Sequence, residues 1–509
     1  MTRAPMENNV YDIVIIGGGI NGCGIAREAA GRGLSVGLFE KYDIASGTSS
    51  SSTKLIHGGL RYLEHYEFRL VRESLKEREV LLSMVPHICR PLRFVLPHLK
   101  GLRPAWLIRL GLFLYDHLGV RKRLPGCSSV NLRQDPVGLP LKDHLTKGFE
   151  YSDCWVDDAR LVTLNAMDAA AKGADIHVRT EVMSAERKDG NWEITTRNAI
   201  DQTTTTVHAK TLVNAAGPWV VDVLNHRIGS NSSSQIRMVK GSHIVVPRQF
   251  DHDRAYIFQN ADRRIIFAIP YEQDFTLIGT TDVDFTGDPA KVAASDDEIA
   301  YLCAAASEYF IKAISPDNVV WTYSGVRPLF DGGEKSAQTT TRDYVLELDG
   351  PDNQAPLLNI FGGKITTYRR LAEEAFEKIE GYFAEPGTPW TEGVSLPGGD
   401  FPVEQFDQLK DALQAAHPDI DPQLILRLAH GYGTCAHDLL SGVSSRSDLG
   451  EHFGAGLHER EVRYLIQNEW ARTAEDILWR RTKLGLRLSS DEIRHLSKWM
   501  DDNVASMVE

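Results

Sequence analysis

The segment Tyr11–Glu40 constrains this chain more than any other, because it combines a buried strand with a glycine-rich turn. Asp12–Ile16 is a run of apolar β-formers with no charge after its first residue, which is typical of a strand buried on both faces. Three glycines follow it in G-x-G-x-x-G spacing. Asn21–Arg32 then predicts a small-residue helix, and Leu34–Phe39 predicts a second strand that ends at Glu40.

Each part of this unit suits a dinucleotide. Gly17 permits the tight turn, Gly19 allows the backbone to approach a pyrophosphate, and Gly22 allows the helix to pack on the strand. Free N–H groups at the start of the helix face the phosphates. Glu40 is placed to accept hydrogen bonds from a ribose diol, and its charge disfavours the 2′-phosphate of NADP. FAD and NAD both remain open at this point, and an ordinary βα turn is the alternative.

Length, charge and cysteine content exclude several classes of protein. A chain of 509 residues is expected to form two or three domains. The net charge of −13 argues against nucleic acid as a partner. The six cysteines form no C-x-x-C pair, so neither zinc, any other metal site nor disulfides are expected. We also expect no signal or transit peptide and no transmembrane helix, since no run approaches about 20 apolar residues.

Two loops that follow the dinucleotide unit add candidate residues. Asp43–Lys54 is rich in hydroxyl side chains and is either a cofactor-contacting loop or an ordinary solvated linker. His57–Tyr62 carries a double glycine, which permits close approach to a flat ring. His57, Arg61 and Tyr62 are therefore candidates for positions beside that ring.

Two later segments repeat the pattern of a strand followed by small residues. Thr211–Trp219 predicts a second buried strand, and Ala215 and Gly217 at its end let the backbone pass beneath the dinucleotide. Leu358–Arg369 predicts a strand, a double glycine and a helix whose N-terminus binds an anion or the flavin carbonyl oxygens. Lys364 in that turn is more suited to a ligand than to solvent.

Two arginines and one histidine are candidate substrate residues. Arg327 and Arg342 each lie beside polar loop residues, and together near a cofactor they form a clamp for a phosphate or carboxylate. His243 follows the start of a short strand, where a structural histidine is the common alternative. Its imidazole is suited to accept a proton near neutral pH.

The segment 91–123 departs from the acidic character of the chain. It contains seven basic residues and one acid, Asp116, around the run Ala105–Tyr115, which is rich in aromatic and aliphatic side chains. Basic flanks and aromatic residues favour a helix that lies in the headgroup region of an anionic membrane. A buried helix with a basic end is the alternative.

These motifs together resemble bacterial FAD-dependent glycerol-3-phosphate dehydrogenases, over almost the whole chain. The stretches that carry the resemblance are IIGGGINGCGIA, SSTKLIHGGLRYLEHYEFRLV, FEYSDCWVDDARLV, VKGSHIVVP, GTTDVDF, WTYSGVRPL, TRDY and FGGKITTYRRLAE. The resemblance implies oxidation of sn-glycerol 3-phosphate to dihydroxyacetone phosphate, with hydride transfer to flavin N5 and ubiquinone as electron acceptor. It also implies a homodimer held peripherally on the cytoplasmic face of the bacterial inner membrane.

The predicted fold class is α/β. It comprises a Rossmann-like FAD-binding domain of the glutathione-reductase/D-amino-acid-oxidase type, an antiparallel-sheet substrate domain and an all-helical C-terminal domain. The FAD-binding domain is predicted at 8–75, 150–240 and 320–380. The substrate domain is predicted at 76–149 and 241–319, and includes the membrane-contacting segment 91–123. A linker at 381–399 leads to the helical domain at 400–509.

The predicted cofactor-binding residues come from the turns, loops and strand ends described above. They are Gly17, Gly19, Ile20, Asn21, Gly22, Glu40, Lys41, Thr48, Ser49, Ser50, Lys54, Leu55, His57, Gly58, Gly59, Ala215, Gly217, Gly362, Gly363, Lys364, Ile365 and Thr366.

The resemblance also suggests how the catalytic residues act. Arg327 and Arg342 match the family's substrate arginines and are expected to hold the phosphate, while Lys364 holds the substrate or stabilises charge on reduced flavin. His243 is the first candidate for the base, and His57, Arg61 and Tyr62 are candidates for positioning. A glycerol-phosphate oxidase, an amino-acid oxidase that uses oxygen and a non-enzymatic membrane flavoprotein are the alternatives.

Overall fold

The computed structural model describes residues 10–99, 104–119, 121–230, 235–260, 262, 264–330, 343–350 and 354–508. In these ranges the α-helices are α1 (Ile20–Gly31), α2 (Phe68–Met84), α3 (Ala105–Leu118), α4 (Asp158–Ala171), α5 (Val220–Val223), α6 (Asp296–Ser307), α7 (Tyr368–Ile379), α8 (Phe406–Ala416), α9 (Pro422–Tyr432), α10 (Ala436–Leu439), α11 (Glu459–Glu469) and α12 (Ser490–Val508). The strands are β1 (Val10–Ile16), β2 (Val36–Phe39), β3 (Leu55–Ile56), β4 (Cys89–Pro97), β5 (Ser128–Asn131), β6 (Lys147–Val156), β7 (Asp175–His177), β8 (Thr180–Lys188), β9 (Asn191–Asn198), β10 (Thr204–Asn214), β11 (Ile236–Pro247), β12 (Ala255–Gln259), β13 (Ile265–Tyr271), β14 (Phe275–Gly279), β15 (Val283–Asp284), β16 (Trp321–Phe330), β17 (Val345–Asp349), β18 (Leu357–Phe361), β19 (His452–Gly454) and β20 (Leu457–His458).

The first sheet carries the N-terminal unit. Its order is β17-β18-β10-β1-β2-β7, with β9 added to β10 and β8 added to β9. The strands from β18 to β7 are parallel, so their carboxyl ends meet at one edge. The two predicted buried strands lie side by side, with Ile16 in register with Asn214. Helix α1 packs against this sheet through its small buried residues, as the motif predicts.

The second sheet has ten strands in the order β15-β11-β14-β13-β12-β4-β6-β3, with β16 on β11 and β5 on β6. It is antiparallel except where β12 runs parallel to β4. The predicted boundaries differ from the sheets, because the ranges predicted for the cofactor domain include β3, most of β6, β16 and the start of β11, which all belong to the second sheet. Strand β6 pairs along its length with β4, and β16 pairs with β11 from Trp321 to Phe330. These long ladders satisfy backbone groups within the second sheet, so both strands belong there.

The C-terminal region forms its own helical core from α8 to α12. It is not entirely helical as predicted, because β19 and β20 form a short hairpin. Buried ion pairs attach it to the rest of the chain. The carboxylate of Asp43 is fully buried and accepts hydrogen bonds from Arg480 Nε at 2.7 Å and Arg481 Nη2 at 2.9 Å.

Helix α3 covers the predicted apolar run and extends it by three residues, from Tyr115 to Leu118. Its Ile108, Leu112 and Tyr115 side chains are buried, while Trp106 is 67% exposed and Phe113 is 54% exposed. The helix is therefore amphipathic, with an aromatic outer face. None of the helices in the described ranges combines the length and apolar character needed to cross a bilayer.

Candidate cofactor and active site

The glycine-rich turn after β1 has the geometry that its spacing predicts. Gly17 has φ +111°, and a Cβ added there would lie 2.6 Å from the carbonyl oxygen of Ala215. A Cβ on Gly22 would lie 1.9 Å from the carbonyl oxygen of Gly17, so this glycine is required for the helix to pack on the turn. Among the described residues, a Cβ added at Gly19 would have a single neighbour within 4 Å, Ser49 Oγ at 3.2 Å. Its backbone therefore remains open to a ligand.

A cavity of about 450 Å³ begins at this turn and continues between the two sheets. We call it the cofactor cavity. Of the predicted site residues, those that line it are Gly17, Gly19, Ile20, Asn21, Glu40, Lys41, Thr48, Ser49, Leu55, His57, Gly59, Arg61, Tyr62, Ala215, Gly217, His243, Arg327, Gly362, Gly363, Lys364, Ile365 and Thr366.

Four predicted cofactor residues lie behind the lining. The Lys54 ammonium is buried and donates to both carboxylate oxygens of Asp158, at 2.8 and 2.7 Å, and to the Ser50 carbonyl at 2.5 Å. The Gly58 N–H donates to the Tyr115 hydroxyl at 2.8 Å. Gly22, Ser50, Lys54 and Gly58 thus shape the loops that line the cavity. Arg342 lies outside the described residues.

Glu40 stands at the end of β2, facing the cofactor cavity. Its carboxylate accepts hydrogen bonds from the Gly18 N–H at 2.6 Å and the Tyr42 N–H at 2.7 Å. Burial raises the pKa of Glu40, while these two N–H donors oppose that change. The side chain is therefore held at the cavity wall in one orientation, with its carboxylate beside the turn.

Three hydrogen bonds join the separate loops around the cavity. At the start of α1, the Ile20 N–H donates to Ser49 Oγ at 3.0 Å. Asn21 Nδ2 donates to the Gly362 carbonyl at 3.1 Å, which links the first glycine turn to the turn after β18. Thr48 Oγ1 donates to the Val326 carbonyl at 2.5 Å and so ties the hydroxyl-rich loop to β16. The cavity is thus closed by contacts between residues far apart in the sequence.

The two histidines differ in their access to the cavity. His243 Nε2 is hydrogen-bonded with Thr53 Oγ1 at 2.9 Å, its Nδ1 is buried without a partner among the described residues, and its ring stacks on Tyr323 at 4.6 Å. Neither nitrogen of His57 has a hydrogen-bond partner in the described ranges, and the half-buried ring lines the cavity. Burial lowers the pKa of both imidazoles, so both are neutral near pH 7.

Cationic side chains stand on the same cavity wall. Arg327 pairs with Asp282 through Nη1 and donates from Nη2 to Thr280 Oγ1 at 3.2 Å. The Lys364 ammonium lies 3.9 Å from the centroid of the Tyr62 ring. Arg327 is therefore oriented by two fixed partners, which is the arrangement that anion recognition requires.

Four residues that orient the side chains of this wall were not predicted from the sequence. Thr53 and Tyr323 hold His243, and Thr280 and Asp282 hold Arg327. All four lie in or beside motifs that were singled out, such as GTTDVDF and WTYSGVRPL. Their roles depend on pairings across the second sheet, which no local spacing reveals.

Comparison with known proteins places these features in a family. Residues 12–369 match the family described as FAD dependent oxidoreductase, and residues 389–502 match the C-terminal domain of alpha-glycerophosphate oxidase. The chain is 51% identical over 497 residues to glycerol-3-phosphate dehydrogenase of Pseudomonas aeruginosa, covering 98% of this chain and 96% of the relative. The chain belongs to the FAD-dependent glycerol-3-phosphate dehydrogenase family.

Two further comparisons refine this membership. The chain is 52% identical over 496 residues to D-erythritol 1-phosphate dehydrogenase of Brucella abortus, covering 97% of this chain and 99% of the relative. The structure of glycerol-3-phosphate dehydrogenase from Bacillus halodurans complexed with FAD has a TM-score of 0.77 at 26% identity, covering 99% of this chain and 96% of that chain. The predicted fold class is confirmed.

FAD is the cofactor of this member of the glycerol-3-phosphate dehydrogenase family, as predicted. The residues that line the cofactor cavity suit FAD. The crowded turn at Gly17 and Gly22 brings backbone close to a pyrophosphate, and the open Gly19 leaves room for it. Glu40 is oriented at the edge where a ribose diol is expected. The turn Gly362–Thr366 presents a second helix start to the same cavity.

Proposed function

We propose that this protein oxidises sn-glycerol 3-phosphate to dihydroxyacetone phosphate and passes the electrons to ubiquinone. The observation that carries the proposal is the position of Arg327, oriented by Asp282 and Thr280 on the same cavity wall as His57 and Lys364. A planar guanidinium in a fixed orientation binds a phosphate through paired hydrogen bonds. An alcohol phosphate can then place its carbinol within reach of a base.

His57 is the residue best placed to take the hydroxyl proton. Its ring faces the cavity, and burial together with the positive charge of Lys364 keeps its pKa below the ordinary value, so it is available as an acceptor at neutral pH. His243 is the first candidate from the sequence, but its Nε2 is engaged with Thr53. We therefore assign it a place in the cavity wall and not the role of base. Bound FAD supplies the electron acceptor for the carbinol hydrogen. Lys364 adds positive charge near the reacting groups.

A second substrate has specific support. The relative from Brucella abortus is named D-erythritol 1-phosphate dehydrogenase, and it is as similar to this chain as the relative from Pseudomonas aeruginosa. Both substrates are polyol phosphates, so Arg327 serves either one. D-Erythritol 1-phosphate is therefore the second candidate, and it differs by one additional carbinol in the chain.

One anaerobic experiment separates the candidates. Purified holoprotein is mixed without oxygen with sn-glycerol 3-phosphate, D-erythritol 1-phosphate or a D-amino acid, and flavin absorbance is followed. We expect rapid bleaching by sn-glycerol 3-phosphate and recovery of the yellow colour with a ubiquinone analogue. Bleaching by D-erythritol 1-phosphate alone would transfer the assignment to that substrate. Recovery that is faster in air than with the quinone would identify an oxidase, and bleaching by the amino acid alone would contradict the proposal.

The proposal includes peripheral attachment to the cytoplasmic face of the bacterial inner membrane. Its support is the outer face of α3, where Trp106 and Phe113 are exposed beside Arg109. Of the other predicted basic residues, Arg121, Lys122 and Arg123 are exposed, Lys100 and Arg103 lie outside the described residues, and Arg93 pairs inward with Glu150 at 3.1 Å. Aromatic side chains with basic neighbours suit a headgroup layer. The homodimer stays a prediction.

Vesicle sedimentation tests this attachment. Replacing both Trp106 and Phe113 with Ser is expected to weaken binding to vesicles of anionic lipid at least tenfold, since each buried aromatic contributes about 1.5–3 kcal/mol. Ile200→Ser, on another exposed surface, is the matched control because Ile200 is also largely exposed. Equal sedimentation of the double variant and the control would contradict a role for α3.

A further inference from the structure

A second cavity, of about 550 Å³, lies where the C-terminal region meets the second sheet, and we call it the interdomain cavity. One wall is formed by the start of β4, the end of β6 and the turn between β13 and β14. The other wall is formed by α9, the β19–β20 hairpin and the segment 481–487. Within the described residues it shares no lining residue with the cofactor cavity.

Three side chains of this cavity with hydrogen-bond donors have no acceptor among the described residues. The Arg90 guanidinium stacks 4.4 Å from the centroid of the Trp155 ring and, in the described ranges, forms no ion pair or hydrogen bond. The Trp155 side chain is 9% exposed, and its indole N–H has no partner in the part of the chain that the structure describes. His87 is 2% exposed, and neither of its ring nitrogens has a partner there. Trp155 and His87 are buried, whereas Arg90 is exposed. Buried donors are normally satisfied, so the unpartnered Trp155 and His87 groups require an explanation.

Two other arginines of the cavity, Arg427 and Arg487, are already neutralised. Arg427 binds both oxygens of Glu461, at 2.7 and 2.6 Å, and Arg487 binds Asp274 at 2.7 Å. Lys483 pairs with Asp157 at 3.3 Å on the same wall. These pairs account for three of the carboxylates that face the cavity.

The charges that remain favour an anion. Arg90 and Arg446 both lack an ion pair within the described part of the chain. Burial raises the pKa of Glu272, and its carboxylate lies 3.9 Å from Arg487 Nη1. Asp421 caps α9 by accepting from the Gln423 N–H at 2.7 Å.

The turn between β13 and β14 forms part of the cavity lining. Glu272 and Gln273 have φ of 46° and 65°, so two successive residues with side chains adopt the left-handed conformation that favours glycine. Arg487 binds the Glu272 carbonyl and the Asp274 carboxylate and so holds the turn in place. Positive φ at successive positions is common in tight β-hairpin turns such as this one between β13 and β14.

We propose that the interdomain cavity is a binding site for a small oxyanion, a phosphate or carboxylate compound, held by Arg90 with the indole N–H of Trp155 and the imidazole of His87. A guanidinium stacked on an aromatic ring keeps its edge N–H groups available for an oxyanion. A neutral imidazole supplies one further donor. The ligand of this site would bind apart from the substrate, which binds in the cofactor cavity.

Titration calorimetry of the FAD-loaded protein tests this site. The probes are inorganic phosphate, citrate and 3-phosphoglycerate, and the background is Arg327→Ala, which weakens anion binding in the cofactor cavity. We expect at least one probe to bind this background once per chain, with a Kd below about 1 mM. Adding Arg90→Gln should weaken that binding at least tenfold. Arg133→Gln, an exposed arginine outside both cavities, is the matched control and should leave it unchanged.

A second variant covers the case in which Arg90→Gln disturbs folding. Trp155→Phe keeps the ring beneath the guanidinium and removes the N–H, and it should weaken the same binding about threefold to tenfold. FAD absorbance and melting temperature report whether each variant is folded. Absence of saturable binding by all three probes would overturn the proposal. Binding that neither Arg90→Gln nor Trp155→Phe weakens would also overturn it.

Discussion

In the cofactor cavity, short sequence motifs supply most of the lining, whereas the interdomain cavity takes its lining from many short, separate segments. The first cavity has polar groups that face open space, such as Arg327, which two partners orient, and His57. The second cavity adjoins buried ion pairs, such as that of Asp43 with Arg481, which hold two parts of the chain together. Changes in the first region should therefore affect kinetics, and changes around the second should affect stability.

The largest expected effect is on flavin reduction. His57→Gln should slow single-turnover reduction by about 10²–10⁴-fold, because the hydroxyl proton loses its acceptor. His243→Gln should have the smaller effect, because its Nε2 is engaged with Thr53. Stopped-flow absorbance under anaerobic conditions measures both. If His243→Gln slows reduction more than His57→Gln, then His243, the first candidate from the sequence, is the base.

Loss of Asp43 should chiefly affect stability. Asp43→Asn leaves Arg480 and Arg481 without their shared buried carboxylate, and breaking such a pair costs about 3–5 kcal/mol. Urea unfolding followed by flavin fluorescence measures the change, and Arg133→Gln should differ from wild type by less than about 0.5 kcal/mol. An unchanged unfolding midpoint for Asp43→Asn would remove the distinction between the two regions.

Arg327→Ala should raise the KM for sn-glycerol 3-phosphate about 100-fold while FAD remains bound. A hydrogen bond to a charged group contributes about 1.5–3 kcal/mol, and this guanidinium is expected to form two. Steady-state rates with a quinone analogue give KM, and absorbance gives the FAD content. A KM equal to that of wild type would remove Arg327 from substrate binding.

The smallest expected effect concerns pH and His87. Burial, with Arg160 and His430 nearby, lowers the pKa of His87 from 6.5 to about 3. The unfolded chain thus binds a proton before the folded chain does, and stability falls as pH drops from 6.5 towards 3. The slope from this group approaches about 1.4 kcal/mol per pH unit. Urea unfolding of His87→Gln at pH 6.5 and 5.5 should show a smaller loss than wild type, and equal losses would contradict this.

The sequence predicts the parts of the site that are encoded locally. The three glycines, Glu40 and the turn at Gly362 follow from spacing, since strand, turn and helix are adjacent in the chain. The contacts of Arg327 with Asp282 and of Thr53 with His243 could not be predicted, because residues 45 and 190 positions apart meet only when the second sheet forms. Strands β6 and β16 fall in ranges predicted for the cofactor domain, although they pair in the second sheet, for the same reason.

The hydrogen bond from Asn21 to Gly362 joins residues that are 341 positions apart. The ribosome delivers the first glycine turn early and the second only after most of the polypeptide has emerged. A nascent chain that ends before β18 has the first dinucleotide turn but lacks the residues that close the cavity opposite it. The newly made protein can therefore retain its yellow cofactor only late in translation, and truncated products should leave the ribosome colourless.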